Sequence, residues 1–202
     1  MQRSLPLFAA PTNPQRSGVP RTFQPSGVEE LFAELGGAVF GEGAYRIHDP
    51  AHVSEWTDLA VAAFPQLEGK ALCFASDWLG RQFGLSTDPE RSSRLAVVLI
   101  DVHWDEVVST NHELDQFHET LLASDPELAL ALQRYARWRG SGGAIPAPKQ
   151  CVDFTVPLYV GGADDLANMA INDMEVVWGI GSQLLRQVRG LPEGTPIDID
   201  VV

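Results

Sequence analysis

The sequence predicts an α+β fold, a single compact domain with a central, mostly antiparallel sheet flanked by helices. Short apolar runs rich in β-branched and aromatic residues are typical of strands, and they are mixed with helical stripes in no regular βαβ alternation. The chain has 202 residues, of which 45% are hydrophobic, enough for one core. Residues 1–26 contain five prolines among polar residues, which predicts a disordered, flexible N-terminal tail.

Apolar residues spaced by three or four predict five helices. The first begins near Val28 and stops at Gly36-Gly37, and the second ends near Pro65. A third helix follows residue 111, and a fourth stripe continues over residues 128–138 after Asp125-Pro126. The closing helix begins at Met174.

Strands are predicted at residues 72–76, 81–85, 95–102, 106–109, 151–160 and 169–171. The run at 95–102 is the strongest, and Pro157 either ends the run at 151–160 or places it at an edge. Residues 151–186 are predicted to form the structural centre. The domain is expected to span residues 27–190, and residues 191–202 form a C-terminal tail.

The charge balance excludes some partners. The chain has 27 acidic and 14 basic residues, a net charge of −13 and a sequence pI near 4.6. Direct nucleic-acid binding needs a basic face, so it is not expected, and an anionic membrane is disfavoured for the same reason. An acidic field speeds encounter with a basic partner, although acidity that serves only solubility is the simpler alternative.

No apolar run approaches the roughly 18–20 residues that cross a bilayer. The N-terminal apolar patch is short and interrupted by prolines, unlike a signal peptide. These features predict a cytoplasmic protein with no membrane association.

Catalytic and metal motifs fail when they are tested against their spacing. His112 and His118 are six residues apart, whereas the two histidines of a zinc-protease helix are four apart on one face. The Gly179-Ile180-Gly181 segment lacks the third glycine of a dinucleotide loop. We therefore expect no catalytic residues, no metal and no cofactor. Cys73 and Cys151 are expected to be buried, reduced thiols.

Three stretches together resemble a known family. They are GAYRIH at residues 43–48, CFASDWLGRQFGLS at residues 73–86, and CVDFTVPLYVGG with NDMEVVWGIGSQLLRQ within residues 151–187. In order and approximate spacing they resemble the Tdi-type immunity proteins for type VI secretion DNase effectors, over about residues 27–189. The SUKH-type immunity superfamily is a neighbouring resemblance. In the Tdi type, a GAD-like portion, here residues 27–68, runs into a C-terminal immunity portion, here residues 69–190.

The resemblance implies a non-enzymatic, cytoplasmic bacterial protein that binds and neutralises a cognate effector. The acidic balance fits a basic, nuclease-type effector, since an acidic inhibitor can occupy a cleft built for phosphates. The candidate contact residues are Asp77, Trp78, Arg81, Asp164 and Asp165. For residues 77–81 a structural turn, in which Asp77 bonds local amides and Arg81 pairs with a carboxylate, is favoured over a contact role.

Two other classes of function stay open at this point. One is an enzyme or small-ligand protein whose site assembles from His48, His103 and Asp101. The other is a structural or adaptor subunit that self-associates, with residues 1–26 as a docking segment. A deep pocket with converging histidines favours the first, and a stable homo-oligomer favours the second.

Overall fold

A computed structural model of the chain describes residues 27–87, 95–192 and 195, and six strands within them form one antiparallel sheet. The strands follow one another in chain order, each paired with the next. They are β1 (Val39–Phe40), β2 (Tyr45–Ile47), β3 (Ala71–Asp77), β4 (Gln82–Thr87), β5 (Leu95–Asp101) and β6 (Glu106–Ser109). A separate antiparallel pair consists of β7 (Gln150–Phe154) and β8 (Met169–Asp173).

Helices cover both faces of the six-stranded sheet. They are α1 (Val28–Leu35), α2 (Val53–Ala63), α3 (Leu114–Gln116), α4 (Leu122–Ser124), α5 (Pro126–Leu130), α6 (Leu132–Gly140) and α7 (Met174–Val188). A π-helical turn, Phe117–Leu121, joins α3 to α4. Helix α7 is the longest of these, and its apolar stripe accounts for its position, since Trp178 and Leu185 are fully buried.

Successive side chains of each strand point to opposite faces of the sheet, and a separate hydrophobic core lies on each face. On one face of the sheet, Tyr45, Ile47 and Phe83 pack with α1 and with α3–α5. On the other face, Cys73 and Ile100 pack with α2 and α7. A third cluster places β7 and β8 against the turn between β3 and β4 and against α6. The α+β class and the antiparallel central sheet are therefore as the sequence predicts.

Several element boundaries differ from the predicted ones for local reasons. The fourth helical stripe is two helices, because Ala131 adopts a left-handed conformation with φ 50° between α5 and α6. The strand predicted at residues 151–160 ends at Phe154, before Pro157, which cannot donate to a ladder. Residues 151–186 are predicted to be the structural centre. They pack instead against the β3–β4 turn, in which Asp77 and Trp78 have no exposed surface.

The sheet crosses the boundary between the two portions that the resemblance implies, residues 27–68 and 69–190. Strand β2 pairs with β3 through Tyr45–Asp77, Arg46–Ser76 and Ile47–Ala75. Residues 1–26 and most of residues 191–202, the two predicted tails, lie outside the described residues. In the described part of the chain, no helix has the length and apolar character needed to cross a membrane.

Candidate functional site

The turn between β3 and β4 is built on the Asp77 carboxylate. Its Oδ1 accepts hydrogen bonds from the backbone N–H groups of Leu79 and Arg81, both at 3.0 Å. Its Oδ2 lies 2.7 Å from Arg81 Nε and 2.6 Å from Arg81 Nη2, a bidentate ion pair. Gly80 completes the turn with φ 77°, a conformation that favours glycine.

Four other parts of the chain bond to this turn. Trp78 Nε1 and Arg81 Nη2 donate to the last turn of α5, at Leu130 O (2.8 Å) and Ala129 O (3.0 Å). The remaining bonds come from Val152 N to Trp78 O (2.8 Å), from Trp178 Nε1 to Gly80 O (2.8 Å) and from His103 Nε2 to Leu79 O (2.9 Å). The turn therefore joins both helical layers and β7 to the central sheet.

Three of the candidate contact residues lie inside this turn. Asp77 and Trp78 have no exposed surface, and the side chain of Arg81 is 11% exposed. Their polar groups bond within the chain, so a partner cannot reach Asp77 or Trp78 in this conformation. The geometry is that of a structural turn, and we leave these residues out of the contact surface proposed below.

Asp164 and Asp165 lie on the surface, in the loop between β7 and β8. The Asp164 carboxylate pairs with Arg134 of α6 at 2.8 Å. Asp165 Oδ1 accepts a hydrogen bond from Asn168 N at 3.0 Å and so caps the short 3₁₀ turn before β8. Both remain candidate contact residues.

His48, His103 and Asp101 do not converge on one site. Asp101 Oδ1 accepts hydrogen bonds from the backbone N–H groups of His103 (2.8 Å) and Trp104 (3.3 Å), so this carboxylate shapes a turn. The His103 ring lies between Leu79 O, 2.9 Å from Nε2, and Asp153 Oδ1, 3.4 Å from Nδ1. Both ring nitrogens therefore face oxygen atoms of the chain itself. His48 lies elsewhere, beside α2.

A pocket of about 270 Å³ lies beside His48, between β2, the start of α2 and the loop before β7. Its polar walls contain Arg46, His48, Asp49, His52 and Lys149, and its apolar walls include Val39, Ile47, Trp56 and Pro148. Arg46 and His48 are two residues apart on β2 and its extension, so both side chains point to the α2 side of the sheet. Two basic side chains, Arg46 and Lys149, and two imidazole rings, His48 and His52, therefore line one concave site.

Arg46 is a buried cation that lacks a carboxylate partner within the described residues. It is 3% exposed, and its guanidinium donates to Pro146 O in the loop before β7, at 2.9 Å, and to Gln150 O at the start of β7, at 2.5 Å. Its Nε has no hydrogen-bond partner. Burial lowers the pKa of Arg46 from its usual value. A buried donor without a partner costs about 1–3 kcal/mol, more when charged, so this geometry needs an explanation.

His48 forms the inner wall of the pocket as a neutral ring. Its Nε2 lies 2.6 Å from Gln82 Oε1, so Nε2 carries the hydrogen that this amide oxygen accepts. The ring stacks on Trp56, with centroids 5.5 Å apart and planes inclined by 20°. Burial lowers the pKa of His48 to about 4, against the opposing effect of the Gln82 hydrogen bond.

Of the residues that line this pocket, only His48 is named from the sequence as part of a possible small-ligand site. Arg46 lies in the stretch GAYRIH, at residues 43–48, but no role for it follows from the sequence. The available signal was one arginine between Tyr45 and Ile47, in a strand whose neighbours are buried on both faces. The loop that Arg46 holds begins 100 residues further along the chain, so spacing alone does not reveal the pair.

The thiols carry no sign of reactivity. Cys73 and Cys151 are free and buried, as predicted, and burial raises the pKa of both, that of Cys73 to about 12. A high pKa keeps a thiol protonated and a poor nucleophile. Within the described residues, no group of three or more His, Cys, Asp and Glu side chains is placed to hold a metal ion.

Exposed acids cluster over one helical layer. Helices α1 and α3 pack on the same face of the sheet, and a methyl at Gly27 would lie 3.6 Å from Leu114 Cδ2. Six exposed carboxylates lie in these segments, and we call them the acidic face: Glu29, Glu30, Glu34, Glu113, Asp115 and Glu119. The sequence has no Lys or Arg in residues 27–45 or 95–133, so these segments add no basic side chain to the face.

Comparison with known proteins supports the fold alone. No family model matches the chain, and no curated protein matches it. The crystal structure of Atu4351 from Agrobacterium tumefaciens is similar, with a TM-score of 0.52 and 14% sequence identity, over 87% of this chain and 85% of that chain. At this identity the likeness extends to the arrangement of helices and sheet.

Proposed function

We propose that this protein is a non-enzymatic, immunity-like protein that binds and neutralises a basic, nuclease-type effector. The observation that supports this most is the acidic face. Its carboxylates are exposed, project from helices that the core fixes, and have no Lys or Arg in the same segments.

The physical argument depends on what such a face does in water. Exposed carboxylates of one sign raise the local concentration of a basic partner and increase the association rate, and salt weakens this effect. A nuclease must carry a basic cleft because it neutralises phosphates. Carboxylates held on two adjacent helical segments can occupy such a cleft in place of phosphates, which prevents the effector from binding nucleic acid.

The first experiment is a pull-down of the tagged protein from its native host, followed by mass spectrometry. We expect one basic protein to co-purify and to dissociate as the salt concentration rises. Recovery of only further copies of this chain would contradict the proposal and would favour the self-associating adaptor.

Charge-reversal variants then test where the partner binds. The triple variant Glu30→Lys, Glu34→Lys and Glu119→Lys should no longer capture the effector in the pull-down. The matched control, Glu68→Lys, Glu106→Lys and Glu175→Lys, changes the net charge equally at exposed positions outside the acidic face and should retain it. Equal loss in both variants would show that total charge, and not this face, governs binding.

Asp164 and Asp165 provide a second, separate test. Asp164→Lys with Asp165→Lys should weaken capture if the loop between β7 and β8 contributes to the contact surface. Because Asp164 pairs with Arg134 and Asp165 caps a turn, the unfolding temperature of this variant is measured beside its binding. Unchanged capture by a folded variant would remove both residues from the contact surface.

A further inference from the structure

Arg46 places a positive charge, without an ion-pair partner among the described residues, in the wall of the pocket between β2 and α2. The three nitrogens of its guanidinium carry five donors, and within the described residues they bond to two carbonyl oxygens, while Nε has no acceptor. The nearby Asp77 carboxylate cannot take this role, because both of its oxygens bond within the β3–β4 turn. Arg46 lines the pocket, so its positive charge favours an anion that enters there.

The opposite strand adds a second unpaired polar atom to this region. Ser76 is directly opposite Arg46 in the β2–β3 ladder, so the two side chains share one face of the sheet. Ser76 is 1% exposed, and its Oγ has no hydrogen-bond partner. Buried polar atoms are usually satisfied, so both atoms need an explanation, and of the two residues only Arg46 lines the pocket.

The remaining walls define the rest of the ligand. The stacked pair of His48 and Trp56 offers a flat aromatic wall. Lys149 adds a second cation at the mouth, 3.9 Å from Glu55. The Asp49 carboxylate also lines the pocket and repels anions, although its Oδ1 accepts a hydrogen bond from Ala51 N. An anion is therefore attracted to the side of Arg46 and Lys149.

We propose that this pocket binds a small organic anion, with its oxyanion on Arg46 and a planar, apolar body against His48 and Trp56. The ligand is small, since about 270 Å³ is below the usual range for drug-sized ligands. Its oxyanion is a carboxylate or a phosphate, because both match the planar donor fork of arginine. This site is independent of the proposed effector and of the acidic face.

Isothermal titration calorimetry with three probes of similar shape tests the proposal. Benzoate and phenyl phosphate carry the two oxyanions on a planar ring, and benzamide is the neutral counterpart. We expect saturable binding at one site per chain for at least one of the anions, and none for benzamide under the same conditions. The stronger anion identifies the oxyanion class. Equal binding of benzamide, or no binding of either anion, would overturn the proposal.

Variants locate the site. Arg46→Gln should weaken anion binding by about tenfold or more, the loss expected when a charge-assisted hydrogen bond is removed. Lys149→Glu should weaken it several-fold, whereas Lys70→Glu, the same change at an exposed lysine outside the pocket, should leave it unchanged. If Arg46→Gln does not fold, the two lysine variants still show whether the anions bind in the pocket. Equal effects of Lys149→Glu and Lys70→Glu would show that the anions bind non-specifically.

Discussion

At the scale of single residues, His48 shows how burial changes the response of the fold to pH. The ring titrates near pH 6.5 in an unfolded chain and near pH 4 in the folded one. The unfolded state therefore binds more protons between these two values, so the free energy of unfolding falls as the pH falls through this window. The loss is complete below about pH 4 and amounts to about 3 kcal/mol.

We expect the His48 ring to remain neutral down to about pH 4. Its Cε1–H resonance, followed by NMR during an acid titration, measures this directly. Denaturant unfolding of the wild type and of His48→Gln gives the matching thermodynamic test. The difference between their unfolding free energies should change between pH 6.5 and pH 4 and stay constant above that range. A ring that titrates near pH 6.5 would contradict the prediction.

Gly80 is a residue where both backbone and space require glycine. Its φ is 77°, and a Cβ there would lie 2.7 Å from Cys151 Sγ and 2.9 Å from Cys151 Cβ. We expect Gly80→Ala to destabilise the fold by about 2–4 kcal/mol, as overpacking adds to the cost of a left-handed conformation. Gly69→Ala is the control, since Gly69 has φ 65° with open space around it and should cost only about 1–2 kcal/mol. Urea unfolding measures both, and equal losses would show that packing against Cys151 is unimportant.

Some residue-level features could be predicted and others could not. The Asp77–Arg81 turn has a local signal, an acid and a base four residues apart around a glycine, and its structural role was the favoured interpretation. The bonds from Arg46 to residues 146 and 150 join parts of the chain at least 100 residues apart. No local pattern encodes such a pair, so the pocket emerges only from the fold.

At the scale of elements, Arg189 makes several contacts that hold the C-terminal end of α7. Arg189 pairs with the Asp105 carboxylate, donates to Ala63 O at 2.6 Å, and lies 4.9 Å from the centre of the Phe64 ring. It therefore ties α7 to the end of α2 and to the turn between β5 and β6. Arg186, one turn earlier, makes a single long bond to Ala62 O at 3.2 Å.

We expect Arg189→Ala to destabilise the fold by about 1–2 kcal/mol, a value reduced because the pair is partly exposed. Arg186→Ala should cost less than about 0.5 kcal/mol. Thermal unfolding compares the two variants, and hydrogen exchange at the last turn of α7 should accelerate only in the first. Similar behaviour of both would mean that α7 is held by its apolar stripe alone.

Elements with strong periodicity were predicted well, and those set by backbone conformation were not. The closing helix beginning at Met174 and the strand at residues 95–102 follow from their apolar patterns alone. The left-handed Ala131 gives no comparable signal, because alanine is the best helix former and its neighbours continue the stripe. The π-helical turn at residues 117–121 is likewise invisible to a pattern with a period of 3.6.

At the scale of the whole molecule, the excess of acidic residues opposes folding, and the acidic face provides a local example. Glu30 and Glu34 are four residues apart on α1, a like-charge spacing that destabilises a helix by about 0.2–0.5 kcal/mol. Glu34 lies near the C-terminal end of α1, where the helix dipole makes a negative charge unfavourable. The total charge of −13 thus lowers stability most when little salt screens it.

Neutralising part of the acidic face should therefore stabilise the protein. Glu34→Gln with Glu119→Gln should raise the free energy of unfolding by about 0.5–1 kcal/mol at 0.01 M salt and by much less at 1 M salt. The control, Glu68→Gln with Glu106→Gln, removes two exposed charges elsewhere and should give a smaller gain. Urea unfolding at both salt concentrations measures this. A gain independent of salt would point to side-chain packing and not to repulsion.

The course of the central sheet has a consequence for inheritance. Residues 27–68 contribute β1 and β2, and residues 69–190 contribute β3–β6, yet all six strands form one ladder. A recombination event at residue 68 would leave β2 without its neighbour and would expose the unpaired backbone of β3, a strand buried along its whole length. Each portion therefore lacks a strand partner that the other supplies, so we expect the two to be inherited together.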